Sequence, residues 1–132
     1  SSAKNIGDLN VRGMKITALM GSTAENIAKM KFPNAEIIGF NQQEAMMEVT
    51  SGRADGHVAE EYLAMPLVAK YPNKVKILNP EEPFSDEMGT WAVRPGDARF
   101  LNYLNNWLRY YRVRGVLDAK YDEIIRPSFY KK

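Results

Sequence analysis

Hydrophobic residues along the chain fall into short continuous runs separated by stretches with helical spacing. Met14–Met20 is the first short run, bounded by Gly13 and Gly21, and it predicts a buried strand. Thr23 to about Met30 predicts a helix with Ile27 and Met30 on one face, ended by Phe32-Pro33-Asn34. Glu36–Phe40 predicts a second strand. Asn41 opens a helix running through Ser51, with Ala45, Met46 and Val49 at helical spacing and Gly52 as its stop. Asp55–Ala59 predicts a third strand. Glu61 to Lys70 predicts a helix in which Pro66 either makes a kink or begins the regular part. Val75–Leu78 predicts a fourth strand. Residues 14–78 therefore predict β-α-β-α-β-α-β, an α/β class whose short strands are parallel, joined by right-handed crossovers and covered on both faces.

The pattern changes after Leu78. Residues 79–88 form a proline-rich acidic connector. Gly89–Val93 predicts one more strand, and Asp97 can cap a helix from Ala98 to about Arg114. Phe100, Leu101, Leu104, Trp107, Leu108 and Tyr111 give that helix a wide apolar face. Gly115 breaks it, Val116–Ile125 predicts a last helix, and Pro127 ends it. Residues 1–13 are polar, with 8–13 as a lead-in turn. The expected division is residues 1–83 as one lobe and residues 84–132 as a strand with two helices.

Composition narrows the classes. The chain has 132 residues, of which 45% are apolar and 26% charged, as in a globular domain with a real core. Its 18 basic and 16 acidic residues leave a net charge of +2, which gives no case for nucleic acid or an anionic membrane surface. No apolar run approaches the ~20 residues of a membrane span. The polar opening Ser1-Ser2-Ala3-Lys4-Asn5 is not a signal peptide, which says nothing if the chain is mature or cut. The absence of cysteine excludes disulfides, cysteine–zinc sites and thiol catalysis. His57 is the only histidine, so a histidine metal site or a Ser-His-Asp triad would rest on it alone; inside a predicted strand it reads as a core or sheet-face residue. Trp91 and Trp107 read as core anchors. Glu81, Glu82, Asp86 and Glu87 match no calcium loop, and no metal or cofactor is expected. Arg109, Arg112, Arg114 and Lys120 read as solvated charge.

Two places could carry chemistry. Gly21-Ser22-Thr23 stands between the first strand and the first helix, and Ser22 with Glu25 fits the S-x-x-E capping box. Such a turn, with hydroxyls and free N–H groups, is either an ordinary strand–helix corner or an anion site. It is not a nucleotide loop, because the Gly-Lys-Ser/Thr ending is missing. Glu60 follows the third strand. Glu60 and Glu61 are either first-turn acids favouring the helix dipole, or one of them offers a carboxylate to a cation. If the first and third strands lie side by side, Gly21-Ser22-Thr23 and Glu60 share the carboxyl edge of the sheet, where ligands of open parallel sheets bind. An anion site and a carboxylate a few ångströms apart suit an α-amino acid.

Asp8 to Glu25 and Gln43 to Glu60 resemble the corresponding segments of the second lobe of bacterial extracellular solute-binding proteins, family 3, the polar amino-acid type with the type II periplasmic binding fold. The second segment carries the helix, the Gly52-Arg53-Ala54-Asp55 turn and the short strand ending in an acid. Gly89 to Asp97, Asn105 to Leu108 and Arg114 to Tyr121 are similar to that family's return strand and closing helices. The resemblance covers nearly the whole chain in order. It implies that Gly21, Ser22 and Thr23 receive a ligand's α-carboxylate, that Glu60 accepts its α-ammonium, and that Leu19 and Met20 line the side-chain pocket. The family usually has Asp where Glu60 stands, which implies a shifted or non-standard ligand.

The resemblance also implies an incomplete protein. The first lobe of the family is built from both chain ends, and its N-terminal part, with the carboxylate-clamping arginine, is missing here. The implied whole is a periplasmic receptor, or a lipid-anchored extracellular one in a Gram-positive, that closes about hinges near Asn5–Leu9 and Pro83–Met88 and serves the membrane permease of an ABC importer. Alone, the chain is expected to bind weakly or not at all. Its apolar C-terminal face is expected to fold onto the lobe or to form a homo-oligomer or swapped dimer through residues 98–125. Two alternatives follow from the same resemblance: a lobe of a cyclohexadienyl-dehydratase-like enzyme, in which cleft carboxylates donate protons, and a sensor domain. No catalytic residue is assigned.

Overall fold

The computed structural model describes residues 3–85 and 90–124. The chain divides into two compact units, Ser1–Phe84 and Ser85–Lys132. In the first, β1 (Lys15–Leu19) is the central strand, and Ile16, Thr17 and Ala18 at its middle are all buried. β1 pairs in parallel with β2 (Glu36–Phe40), from Lys15 opposite Glu36 to Leu19 opposite Phe40. On its other side it pairs in parallel with β3 (Gly56–Val58), from Ile16 opposite Gly56 to Ala18 opposite Val58. The order is β2-β1-β3.

This order fixes where the helices go. α1 (Thr23–Lys31) carries the chain from β1 to β2, and α2 (Gln42–Thr50) carries it back past β1 to β3. Right-handed crossovers running in opposite directions put the two helices on opposite faces. Side chains along β1 alternate accordingly. Ile16 joins Leu9, Ala28 and Phe32 in a buried cluster on the α1 side. Thr17 points the other way, and its hydroxyl donates to the Ala45 carbonyl of α2 at 3.0 Å.

The buried stripe of α1 is Ala24 and Ala28, continued by Phe32 just beyond its end. Of the pair Ile27 and Met30, read as sharing one face, Ile27 is half-buried and Met30 is 72% exposed. Alanines four apart let the helix lie close to the sheet, and Phe32 fills the space at its end, meeting the Phe84 ring edge-on at 5.6 Å. α3 (Glu61–Lys70) starts before Pro66, so the proline sits inside the helix and leaves the Tyr62 carbonyl without its intrahelical donor. The polar lead-in is more ordered than a turn. Ile6–Leu9 forms a 3-10 helix in which Asn5 accepts from the Asp8 N–H and Asp8 accepts from the Asn5 N–H, both at 3.1 Å. It delivers Ile6 and Leu9 to the core.

Two expected strands do not form. Val75–Leu78 joins no ladder. The Val75 N–H is already bonded to the Tyr71 carbonyl at 3.1 Å, and Leu78 packs on the core through its side chain. The apolar run reflects burial, not pairing. Thr90–Val93 is also not a strand. Every other regular element of that unit's described residues is helical, so no neighbour offers it a ladder. Asp86, Glu87, Met88 and Gly89 lie outside the described residues, as do Ile125 and Pro127.

The second unit holds α4 (Ala98–Val113) and α5 (Val116–Ile124). Asp97 caps α4 by accepting from the Phe100 N–H at 2.9 Å. Trp91 and Trp107 stand 5.9 Å apart, and Trp107 meets Tyr111 at 4.5 Å. The tryptophans contact each other as aromatic partners, but they are not core anchors: Trp91 is 59% exposed. None of the described residues of this unit is buried. Among the described residues, no helix is long and apolar enough to cross a membrane.

Candidate functional site

The carboxyl ends of β1 and β3 lie on one edge of the sheet because the strands are parallel neighbours. Two residues beyond the paired Ala18 and Val58 stand Met20 and Glu60. In a sheet of order 2-1-3, the gap between β1 and β3 is where the connections diverge to opposite faces. All six residues singled out from the sequence (Leu19, Met20, Gly21, Ser22, Thr23 and Glu60) sit on or next to that edge.

The turn is built by local chemistry. Gly21 has φ of +72°, a conformation costly for any other residue. Ser22 is the N-cap of α1; its hydroxyl accepts from the Glu25 N–H at 3.2 Å and donates to the Leu19 carbonyl at 2.6 Å. Only half of the expected reciprocal box forms. The Glu25 carboxylate reaches one residue further and accepts from the Gly21 N–H at 2.6 Å, while its other oxygen accepts from Lys29 Nζ at 2.7 Å. These two bonds, Lys29 first, hold its carboxyl below the usual carboxylate range. Gly39 on β2 makes the space: a Cβ there would stand 3.2 Å from Met20 Cα and 3.3 Å from Glu25 Oε1. The Ser22 N–H bonds to the Leu19 carbonyl at 3.2 Å. Among the described residues, the Thr23 N–H, the Thr23 hydroxyl and the Ala24 N–H have no hydrogen-bond partner. The open donors are thus at Thr23 and Ala24, one step into the helix.

Across the edge, Glu60 is exposed and is the N-cap of α3, but its side chain makes no capping bond. Beneath it, the ring of His57 lies against β1. Nδ1 is 3.1 Å from the Thr17 carbonyl and Nε2 is 3.4 Å from the Gln42 side-chain amide. This fits the tautomer with Nδ1–H donating to Thr17 and Nε2 accepting from Gln42. Burial pushes the imidazole pKa down, opposed by the Thr17 bond and by the Glu60 charge. His57 is a satisfied sheet-face residue, as its place in the strand predicts.

Gly52-Arg53-Ala54-Asp55 lies at the amino end of β3 and builds the lobe. Arg53 grips Glu48 with Nε at 3.0 Å and Nη2 at 2.7 Å, and Asp55 accepts from the Lys15 N–H at 3.0 Å. Lys29, Gly39 and Gln42 also shape this edge, through bonds to Glu25 and His57 and through the space beside Met20. Lys29 carries a readable signal, the Glu25-to-Lys29 i,i+4 spacing; Gly39 and Gln42 matter only through contacts across the fold.

No protein-family profile matches the chain. The glutamine-binding protein GlnH of a Bacillus subtilis (strain 168) ABC transporter is 29% identical over 126 residues, covering 95% of this chain and 42% of that one. The crystal structure of the ancestral amino acid-binding protein AncCDT-1, a precursor of cyclohexadienyl dehydratase, superposes with a TM-score of 0.76 at 35% identity, over 93% of this chain and 52% of that one. The chain is thus similar, over nearly its whole length, to part of these amino-acid-binding proteins. An ancestral arginine-binding protein bound to glutamine gives a TM-score of 0.74 at 33% identity, covering 94% of this chain and 54% of that one. The chain spans about half the length of these solved structures, which fits a lobe of the family's fold.

Proposed function

We propose that the Ser1–Phe84 unit is the ligand-binding lobe of an amino-acid receptor of an ABC importer, working in the periplasm or at the cell surface. The observation that supports this most is the parallel pairing of β1 with β3, which brings unpartnered donors and an unpartnered carboxylate to one sheet edge. A ligand α-carboxylate is received by the Thr23 N–H, the Thr23 hydroxyl and the Ala24 N–H, with Gly21 and Ser22 shaping the turn. The α-ammonium is accepted by Glu60. Leu19 and Met20 border the place where the ligand's side chain would start, and Met20 is 67% exposed there. The transporter's permease would read the closed two-lobe form.

With the contacts of one lobe only, affinity for an amino acid is expected to be about millimolar. Amide NMR titration with glutamine and with arginine tests it. Shifts confined to Thr23, Ala24 and the Ala59–Glu61 segment, abolished by Glu60→Gln, support the reading. Shifts elsewhere, or unchanged affinity in Glu60→Gln, refute it.

A second reading, a dehydratase-like lobe, is favoured by the likeness to a cyclohexadienyl dehydratase precursor. A proton donor at this edge would be Glu60, because Glu25 is engaged by Gly21 and Lys29. Turnover of prephenate or arogenate by the full-length parent, lost in Glu60→Gln, would establish the enzyme reading.

A further inference from the structure

Among the described methionines, three are open to solvent. Met20 is 67%, Met30 72% and Met47 54% exposed, whereas Met14 and Met46 are half-buried and Met65 is buried. Met30 and Met47 sit in the second halves of α1 and α2, away from the sheet edge at which those helices start. Met20 stands on that edge, between Leu19 and Gly21. Its backbone is fixed there. The Met20 N–H donates to the Phe40 carbonyl at 2.8 Å, and a Cβ on Gly39 would stand 3.2 Å from both its Cα and its Cβ. The thioether is thus presented to solvent from a rigid base. Exposed thioethers are the ones peroxides reach, and the sulfoxide they give is polar and chiral where the methionine was apolar.

We propose that Met20 is a site of reversible oxidative modification, through which a hydroperoxide weakens ligand capture at this edge. The Sδ lone pair attacks one peroxide oxygen, the O–O bond breaks and an S–O bond forms. With hydrogen peroxide, the transferred oxygen gives its proton to the departing hydroxide, which leaves as water. Sulfur loses two electrons and the peroxide gains them. A thiol-dependent sulfoxide reductase reverses the change. At Met20 the new oxygen replaces an apolar contact, where the ligand's side chain would start, by a hydrated dipole. Met30 and Met47 offer equally open sulfurs far from the edge, so the molecule carries its own controls. The effect on binding rests on the amino-acid reading of the edge; the oxidation of Met20 does not.

The test treats the chain with hydrogen peroxide, locates the added oxygens by peptide mass mapping, and follows glutamine affinity through the Thr23 and Ala24 amide shifts before and after. Met20, Met30 and Met47 are expected to gain oxygen ahead of Met14, Met46 and Met65. Glutamine should then bind about fourfold more weakly, the worth of one methylene of apolar contact. Sulfoxide reductase with a thiol should restore the affinity. Met30→Leu combined with Met47→Leu should keep the full loss. Met20→Leu, whatever its starting affinity, should show no loss on treatment. Met20→Gln, with a polar side chain of similar length, serves as a second variant and should bind about as weakly as the oxidised chain before any peroxide is added. Oxidation of Met20 that lags behind Met30 and Met47, full oxidation with glutamine affinity unchanged, or a loss that persists in Met20→Leu overturns the inference alone. Absence of any glutamine shift at Thr23 and Ala24 in the untreated chain overturns the amino-acid reading and the effect on binding with it.

Discussion

The neutral form of His57 is favoured in the folded lobe because its ring is half-buried between β1 and α2, where both of its nitrogens have partners. Its folded pKa lies below the ordinary value near 6.5. The unfolded chain therefore binds more protons as pH falls below about 6.5, and stability drops from there toward the folded pKa. Asp8, Glu25 and Glu48 have lowered pKa values, so their contributions are lost only below about pH 4.5. The window above that belongs to His57. Urea unfolding at about pH 7 and about pH 5 should show a lower midpoint at the acid pH, and His57→Gln should remove most of the difference; equal midpoints for the parent chain would contradict this. Gly39→Ala probes the other face of the site. Its Cβ presses on the Met20 backbone, and such overpacking should cost about 1–3 kcal/mol and shift the Gly21 amide as Glu25 is displaced. A stabilised variant would show that β2 yields easily. Little of this was readable from sequence. Thr17 and His57 are forty positions apart, and their contact exists only because β3 returns beside β1.

At the scale of elements, local signals decided more. Spacing marks Ser22 and Asn41 as caps, and both accept from the backbone N–H three residues on. Each Ala substitution should cost about 1 kcal/mol. The sites cap different helices on opposite faces of the sheet, so the double variant should cost the sum; a deficit well beyond the sum in thermal unfolding would mean the two ends are coupled. Reading failed where one signal has two causes. The apolar run Val75–Leu78 has a strand's composition, but only a free edge and free N–H groups make a strand, and neither appears in a residue list. Met30 has the right phase for a helix face, yet two alanines set the contact. The Glu25 box was legible as a motif. That the carboxylate would take Gly21 and not Ser22 follows a contact outside the motif: the Ser22 N–H is already bonded to the Leu19 carbonyl.

At the scale of the whole molecule, the two units differ in what holds them. Ser1–Phe84 has a buried cluster around Ile16, Leu9 and Phe32. Among the described residues, Ser85–Lys132 has none, although Phe100, Leu101, Leu104, Trp107, Leu108 and Tyr111 share one face of α4. Phe100 is 48% and Leu101 43% exposed. Full burial of such side chains is worth about 1.5–3 kcal/mol each, so a face of this kind is driven to cover itself. In two of the similar solved structures, about half of each longer chain lies beyond the match. For this chain by itself, a second copy offers an equal face. Light scattering is therefore expected to show a mass that rises with concentration toward a dimer. Leu104→Asp combined with Leu108→Asp should return it to a monomer without changing the unfolding midpoint of the first unit. A monomer at all concentrations, with α4 cut early by protease while residues 3–84 resist, would mean the face stays uncovered and its hydrophobicity serves only a partner the chain lacks.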